Sequence, residues 1–353
     1  MTADVAAPPL IALCGPTATG KTDLAVRLAL AVSGGGRVAE VISADSRQVY
    51  RGMDVGTAKP TVAERRGVVH HGLDLVDPDA AFSVHDFVAH VRPVLASLAA
   101  RGGVAILAGG TGLWLRAVAS GLDLDASPHD AALRARLEEE LALAGTAALA
   151  ARLRAVAPLL AARTDLANGR RVVRALEIAT LRGDGPPPPP AGYPGVVARI
   201  VLDVADRDLH RSWIARRAVG QLDGGLPAEA ARLRSRYGDG LRAFTAIGYR
   251  EAFDLLDGRL DRDGYLAVNV ARNAAFARRQ RTWFRAEPEA TWLDPSNADP
   301  FDPALAIARA AMEAAEATGS AREAADRAGG PAGPHPAPAR RGPGGGRALS
   351  FTP

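Results

Sequence analysis

The chain has 353 residues, a formal charge of +4, a pI of about 9.6 and one cysteine, Cys14. A single cysteine excludes an intrachain disulfide framework and suits a reducing cytoplasm. No secretory signal pattern opens the chain and no apolar stretch is long enough to span a bilayer, so a membrane role is not expected.

The first predicted element is a buried strand, Leu10 to Cys14, followed by Gly15-Pro16-Thr17-Ala18-Thr19-Gly20-Lys21-Thr22 and a helix-like stretch from Asp23. A G-x-x-x-x-G-K-[ST] run between a strand and a helix is a phosphate-binding loop in its proper context. Gly15 and Gly20 permit backbone conformations that turn successive N–H groups toward a phosphate. The helix N-terminus and Lys21 add positive charge, and the Thr22 hydroxyl can hold Mg²⁺. Residues 15–22 therefore bind a di- or triphosphate.

A second strand, Val38 to Ile42, leads into Ser43-Ala44-Asp45-Ser46-Arg47-Gln48. An acid at that strand end points into the phosphate crevice as a base, a magnesium ligand or a helix cap. Met53 to Pro60 reads as a loop in which Lys59 is available to an anion. A helix over Val84 to Ala100 and a strand over Val104 to Leu107 follow. The next loop, Gly109-Gly110-Thr111-Gly112, suggests close backbone approach to a ligand, with Thr111 as donor or cap. Arg116 falls about one turn into the following helix, near the same anion. No acid ends this strand, leaving Asp45 as the strand-end acid, so an ATPase motor fits poorly.

From about Ala131 to Leu181 the pattern is helical only, and the proline run 186–190 must be extended. A strand resumes over Val196 to Val204, which makes the helical stretch an insertion. Helices are then expected near 208–221, 228–237, 246–256 and 265–285, and disorder from about Thr318. The fold class is α/β: a P-loop-containing doubly wound parallel sheet with an inserted all-helical subdomain. Residues 1–125 and 193–317 form the core, 126–192 the insertion and 318–353 a disordered tail. Two arginine stripes remain, Arg278/Arg281/Arg285 and Arg170-Arg171-Val172-Val173-Arg174. Each reads as an RNA-backbone contact or as a solvated helix face. His70 and His71, His85 and His90 lack metal-ligand spacing with cysteines or acids and read as structural.

Together these segments resemble the tRNA dimethylallyltransferase (tRNA isopentenyltransferase) family. The matching pieces are the P-loop, Ser43-Ala44-Asp45-Ser46, Tyr50 to Pro60, Gly109 to Gly112, Arg174-Ala175-Leu176-Glu177, Ile247 to Glu251, and Arg279-Gln280 with Thr282-Trp283-Phe284. The resemblance implies transfer of a dimethylallyl group from dimethylallyl diphosphate to N6 of the adenosine 3′ of the anticodon, position 37. It implies Asp45 as base, with Ser46, Arg47 and Gln48 against the target base and its neighbours. Thr17, Gly20, Lys21 and Thr22 would cradle the diphosphate, completed by Thr111, Arg116 and Arg217. Arg134 and residues 170–174 would contact the anticodon arm, and Arg278 and Arg281 the RNA. The enzyme would use Mg²⁺ and act as a cytoplasmic monomer. The chain departs from the pattern at Trp213, Asn168-Gly169 and Arg116. The alternatives are a small-molecule kinase, an adenylate isopentenyltransferase acting on free AMP, and an RNA-binding NTP sensor.

Overall fold

The computed structural model describes residues 7–122, 124, 129–185, 189–287 and 289–328. In chain order its elements are β1 (Leu10–Cys14), α1 (Lys21–Val32), β2 (Ala39–Ser43), α2 (Val62–Arg65), β3 (His70–His71), α3 (Val84–Ala100), β4 (Val104–Gly109) and α4 (Gly112–Ala119). There follow α5 (Ala131–Val156), α6 (Pro158–Arg163), α7 (Gly169–Arg182), β5 (Val197–Leu202), α8 (Arg207–Asp223) and α9 (Leu226–Tyr237). A 3-10 turn (Arg242–Thr245), α10 (Tyr249–Leu256), α11 (Arg262–Phe284), β6 (Thr291–Leu293) and α12 (Phe301–Ala328) complete the elements among the described residues. One compact unit runs through Ala315; the described part of a second, from Glu316, is the end of α12.

Among the described residues six strands form one parallel sheet, in the order β3-β2-β4-β1-β5-β6. Alternate residues of β1 serve opposite faces, as a two-residue period requires. Leu10, Ala12 and Cys14 pack with α3, α4 and α8 to α11, whereas Ile11 and Leu13 pack with α1 and α12. Because both faces are covered, the strands read as continuous apolar runs. The insertion has a third apolar cluster of its own, Leu133, Leu137, Leu149, Leu153, Val172 and Leu176 among others, drawn from α5 and α7. Asn168 caps α7 by accepting from the Arg171 N–H, so the turn forms without a following acid.

Four expected strands are present. The two missed ones, β3 and β6, lie at the sheet edges and contain two and three residues, too short to carry a period. Disorder from Thr318 is corrected over 318–328, which continue helix α12; residues 329–353 and most of the proline run lie outside the described residues.

Candidate active site

Parallel strands place their carboxyl ends along one edge, and the loops leaving β1, β2, β4 and β5 converge there. The P-loop leaves β1 with Gly15 at φ +145°, where a Cβ would stand 2.2 Å from the Leu202 carbonyl oxygen of β5. Only glycine passes this crossing. Gly20, at φ +83°, then turns the chain into α1. Lys21 Nζ folds back to donate to the Pro16 carbonyl at 2.5 Å, and Thr19 Oγ1 donates to the same oxygen at 2.9 Å. Burial pushes the Lys21 ammonium down to about 8, the Arg217 charge acting the same way and Asp45 opposing it. Arg217 is likewise lowered by burial and supported by Asp45. Two buried cations that share the single nearby carboxylate of Asp45 keep an excess of positive charge, which suits a polyanion.

Thr17 is fixed at three atoms. Its N–H donates to Gln280 Oε1 at 2.9 Å, its hydroxyl accepts from Arg217 Nη1 at 3.0 Å, and its carbonyl lies 2.8 Å from His210 Nε2. The Gln280 amide also donates to the Gly110 carbonyl at 2.9 Å, so one side chain of α11 ties the P-loop to the loop after β4. A Cβ at Gly110 would lie 2.3 Å from that amide nitrogen, and one at Gly112 would lie 2.1 Å from the Trp283 ring. These contacts explain the glycines at 110 and 112 together with Gln280 and Trp283.

Asp45 leaves β2 and accepts the Arg47 N–H on Oδ1 at 2.8 Å. Thr111 binds this loop twice, donating from its N–H to the Ala44 carbonyl at 3.1 Å and accepting the Ser46 N–H on Oγ1 at 3.1 Å. Two cavities open beside Asp45. One, of about 730 Å³, holds the P-loop with Trp213, Arg216 and Phe276. The other, of about 570 Å³, is lined by Ser46, Arg47, Thr111, Gly112, Thr245 and Trp283. Thr17, Asp45, Arg217 and Gln280 line both, so the carboxylate stands where the two spaces adjoin.

The IPP transferase family model matches residues 48–287. The chain belongs to the IPP transferase family. It is 44% identical to the tRNA dimethylallyltransferase of Pseudarthrobacter chlorophenolicus, over 81% of this chain and 94% of that one. The tRNA dimethylallyltransferase of Paenarthrobacter aurescens is 43% identical over 86% of this chain and 96% of its own length. The crystal structure of the tRNA isopentenylpyrophosphate transferase of Bacillus halodurans superposes with a TM-score of 0.64 at 37% identity, covering 89% of this chain and 99% of that one.

Several residues expected at an IPP transferase site stand elsewhere. Arg116 is not at the P-loop: it donates to Glu287 Oε1 at 3.0 and 2.6 Å and lies over the Trp283 ring, 4.8 Å from its centroid. Gln48 does line the first cavity, but it is largely buried and its amide bonds to the Thr57 and Ala58 carbonyls and the Ser43 hydroxyl. Lys59 is buried between Asp54 and Asp74, at 2.6 and 2.5 Å, and offers nothing to an anion. Val172 and Val173 lie in the insertion's core. Arg281 is buried and donates to Asp203 at 2.6 Å, while Arg278 on the same helix and Arg285 at its C-cap stay exposed. Asp203 is itself an acid at the end of β5, so Asp45 is not the sole strand-end acid; its carboxylate is taken by Arg281 and Arg207.

Other residues were not foreseen as site-building. Glu229 of α9 accepts the N–H groups of Asp54, Val55 and Gly56 at 3.0, 2.8 and 3.1 Å, and the Tyr249 hydroxyl at 2.7 Å. Gln221 holds the Val55 and Gly56 carbonyls from α8 at 2.8 and 3.0 Å. The loop at 53–60 is thus a wall fixed from two helices, and Thr57 lines both cavities. The signal available in sequence was Gly56, where a Cβ would meet the Tyr249 ring at 2.5 Å.

In the insertion, Glu177 is fully buried and receives Arg134, Arg174 and His129, together with the Asp130 N–H at 3.0 Å. Burial alone would raise its carboxyl, but these hydrogen bonds outweigh it and hold the group down at about 2. This carboxylate sets the direction of two arginines expected to face RNA. Because the folded group is depressed, its stabilisation is present above its ordinary pKa of 4.5 and is lost as pH falls through about 2. Glu177→Ala is expected to destabilise the insertion at pH 7 by about 2–3 kcal/mol, since the unpartnered arginines are near enough to solvent to rehydrate. Thermal unfolding at pH 7 checks this; an unchanged melting temperature contradicts it.

Proposed function

We propose that the chain transfers a dimethylallyl group from dimethylallyl diphosphate to N6 of adenosine 37, immediately 3′ of a tRNA anticodon, releasing diphosphate. The observation that carries this reading is the position of Asp45 between a phosphate-cradling cavity and a second cavity large enough for a base. The names of the relatives support the reaction and the RNA substrate.

The P-loop N–H groups, Lys21 and Arg217 hold the diphosphate and stabilise the charge that develops on its bridging oxygen. Thr111 fixes the Asp45 loop through Ser46, and the 53–60 wall excludes water from the joint between the cavities. As the C1–O bond breaks, its electron pair leaves with diphosphate, and the adenine N6 lone pair forms the new bond to C1. The N6 proton passes to Asp45, whose help matters because the amine's lone pair is delocalised into the ring. The adenine must leave its stack to enter the second cavity, at a cost of a few kcal/mol in a loop.

The Thr22 hydroxyl opens α1 at the cradle, and among the described residues no group of three or more carboxylate, histidine or cysteine side chains is gathered for a metal. A cation here would be held by Thr22 and by the diphosphate's own oxygens, a hard oxygen set that suits Mg²⁺. When bound, Mg²⁺ adds charge stabilisation to the leaving group. Cys14 takes no part, since burial pushes its thiol up to about 12. RNA docking falls to Arg134, Arg170, Arg171 and Arg174 on the insertion and to Arg278 on α11. Among the described residues no helix is long and apolar enough to cross a membrane. The reading makes the enzyme a cytoplasmic monomer.

The test is to incubate the protein with dimethylallyl diphosphate, Mg²⁺ and an anticodon stem-loop, digest the RNA, and analyse its nucleosides. N6-dimethylallyl adenosine is expected from the stem-loop and none from free AMP. Product from AMP alone, or a phosphorylated product with ATP, would favour a different enzyme.

A further inference from the structure

The Thr17–Ala18 peptide carries an unusual strain. Ala18 has φ +62°, a left-handed conformation that a residue with a Cβ adopts at a cost of about 1–2 kcal/mol. A rigid trans peptide points its carbonyl and the following N–H in opposite directions. Holding the Thr17 carbonyl on the outside of the loop therefore turns the Ala18 N–H inward, toward the space a diphosphate would fill. The group that holds the carbonyl is His210 Nε2, at 2.8 Å, from the first turn of α8.

The imidazole is itself held. Its Nδ1 receives an N–H from Arg281, whose Nε donates to Asp203 Oδ1 at 2.6 Å, at the end of β5. Arginine has no acceptor, so Nδ1 must be the bare nitrogen and Nε2 must carry the proton. Burial holds the imidazole below its ordinary range, consistent with this neutral form. His210 and Arg281 are both buried. We propose that His210 is a positioning residue for the diphosphate cradle: the relay Asp203–Arg281–His210 locks the strained Thr17–Ala18 peptide with its N–H turned to the ligand. This gives buried Arg281 a role other than RNA contact, and it rests on the donor reading above.

The probe is Mg²⁺–pyrophosphate titrated calorimetrically into the full chain, with anticodon stem-loop binding measured beside it. H210F fills the ring's space without the donor and is expected to weaken pyrophosphate roughly tenfold, the size of one lost buried hydrogen bond. H210Q, which can still donate to the Thr17 carbonyl, is expected to bind close to the parent. Stem-loop affinity should not change in either. H210L replaces H210F if the latter melts early. Pyrophosphate binding by H210F or H210L equal to the parent's, or equal losses in H210F and H210Q, would overturn the assignment. A parent chain that binds no pyrophosphate contradicts the donor reading itself, and the assignment falls with it.

Discussion

Asp45→Ala is expected to lower turnover by about 10²–10⁴-fold, the usual contribution of a positioned general base, while stem-loop affinity stays near the parent's. The split follows from geometry. Asp45 is one wall residue of the second cavity, which keeps Ser46, Arg47 and Thr111 when the carboxylate is gone. Its Oδ1 also accepts the Arg47 N–H, so part of any loss in the alanine variant is disorder of the loop. Asp45→Asn separates the two effects, because an amide oxygen still accepts that N–H but the group cannot take a proton. Single-turnover rates for both variants make the measurement. Similar large losses in both assign the effect to proton transfer, and a near-normal rate for Asp45→Asn contradicts the base role.

The second large effect belongs to Lys21. Lys21→Met keeps much of the side-chain volume and removes the ammonium that we propose meets the diphosphate. It should lower kcat/KM for the donor by about 10²–10³-fold, by analogy with loss of one preorganised donor to a developing oxyanion. The parent carries a further signature. With the free-enzyme ammonium depressed to about 8, Lys21 is charged below that pH and neutral above it. Donor kcat/KM should hold level up to about pH 8 and then fall as pH rises. Lys21→Met should lack that alkaline limb. A limb that survives in the variant belongs to another group.

The sequence was most legible where one local pattern is enough. The P-loop is recognisable because glycine at 15 and 20, lysine at 21 and threonine at 22 each meet a requirement of the same turn. The four long strands and α3 were legible because their runs are apolar or helically periodic over many residues. What stayed hidden depends on contacts between distant parts of the chain. Gln280 meets Thr17 across 263 residues, and Glu229 meets the 54–56 backbone across about 174. No spacing rule encodes such pairings. Charge misled for the same reason: Arg116, Lys59 and Arg281 look like anion ligands in isolation, yet Glu287, Asp54 with Asp74, and Asp203 take them. An arginine stripe at helical spacing identifies a face, but burial decides which of its members reach solvent. Arg278 does and Arg281 does not.

The most direct test is a crystal structure of the protein with an anticodon stem-loop and a donor whose bridging oxygen is replaced by sulfur, which slows cleavage. The account predicts diphosphate on the N–H groups of residues 18–22, the prenyl C1 turned toward Asp45, and an unstacked adenine reaching the same carboxylate from the other cavity. A diphosphate bound away from Lys21, or an adenine amine out of hydrogen-bonding reach of Asp45, would contradict it.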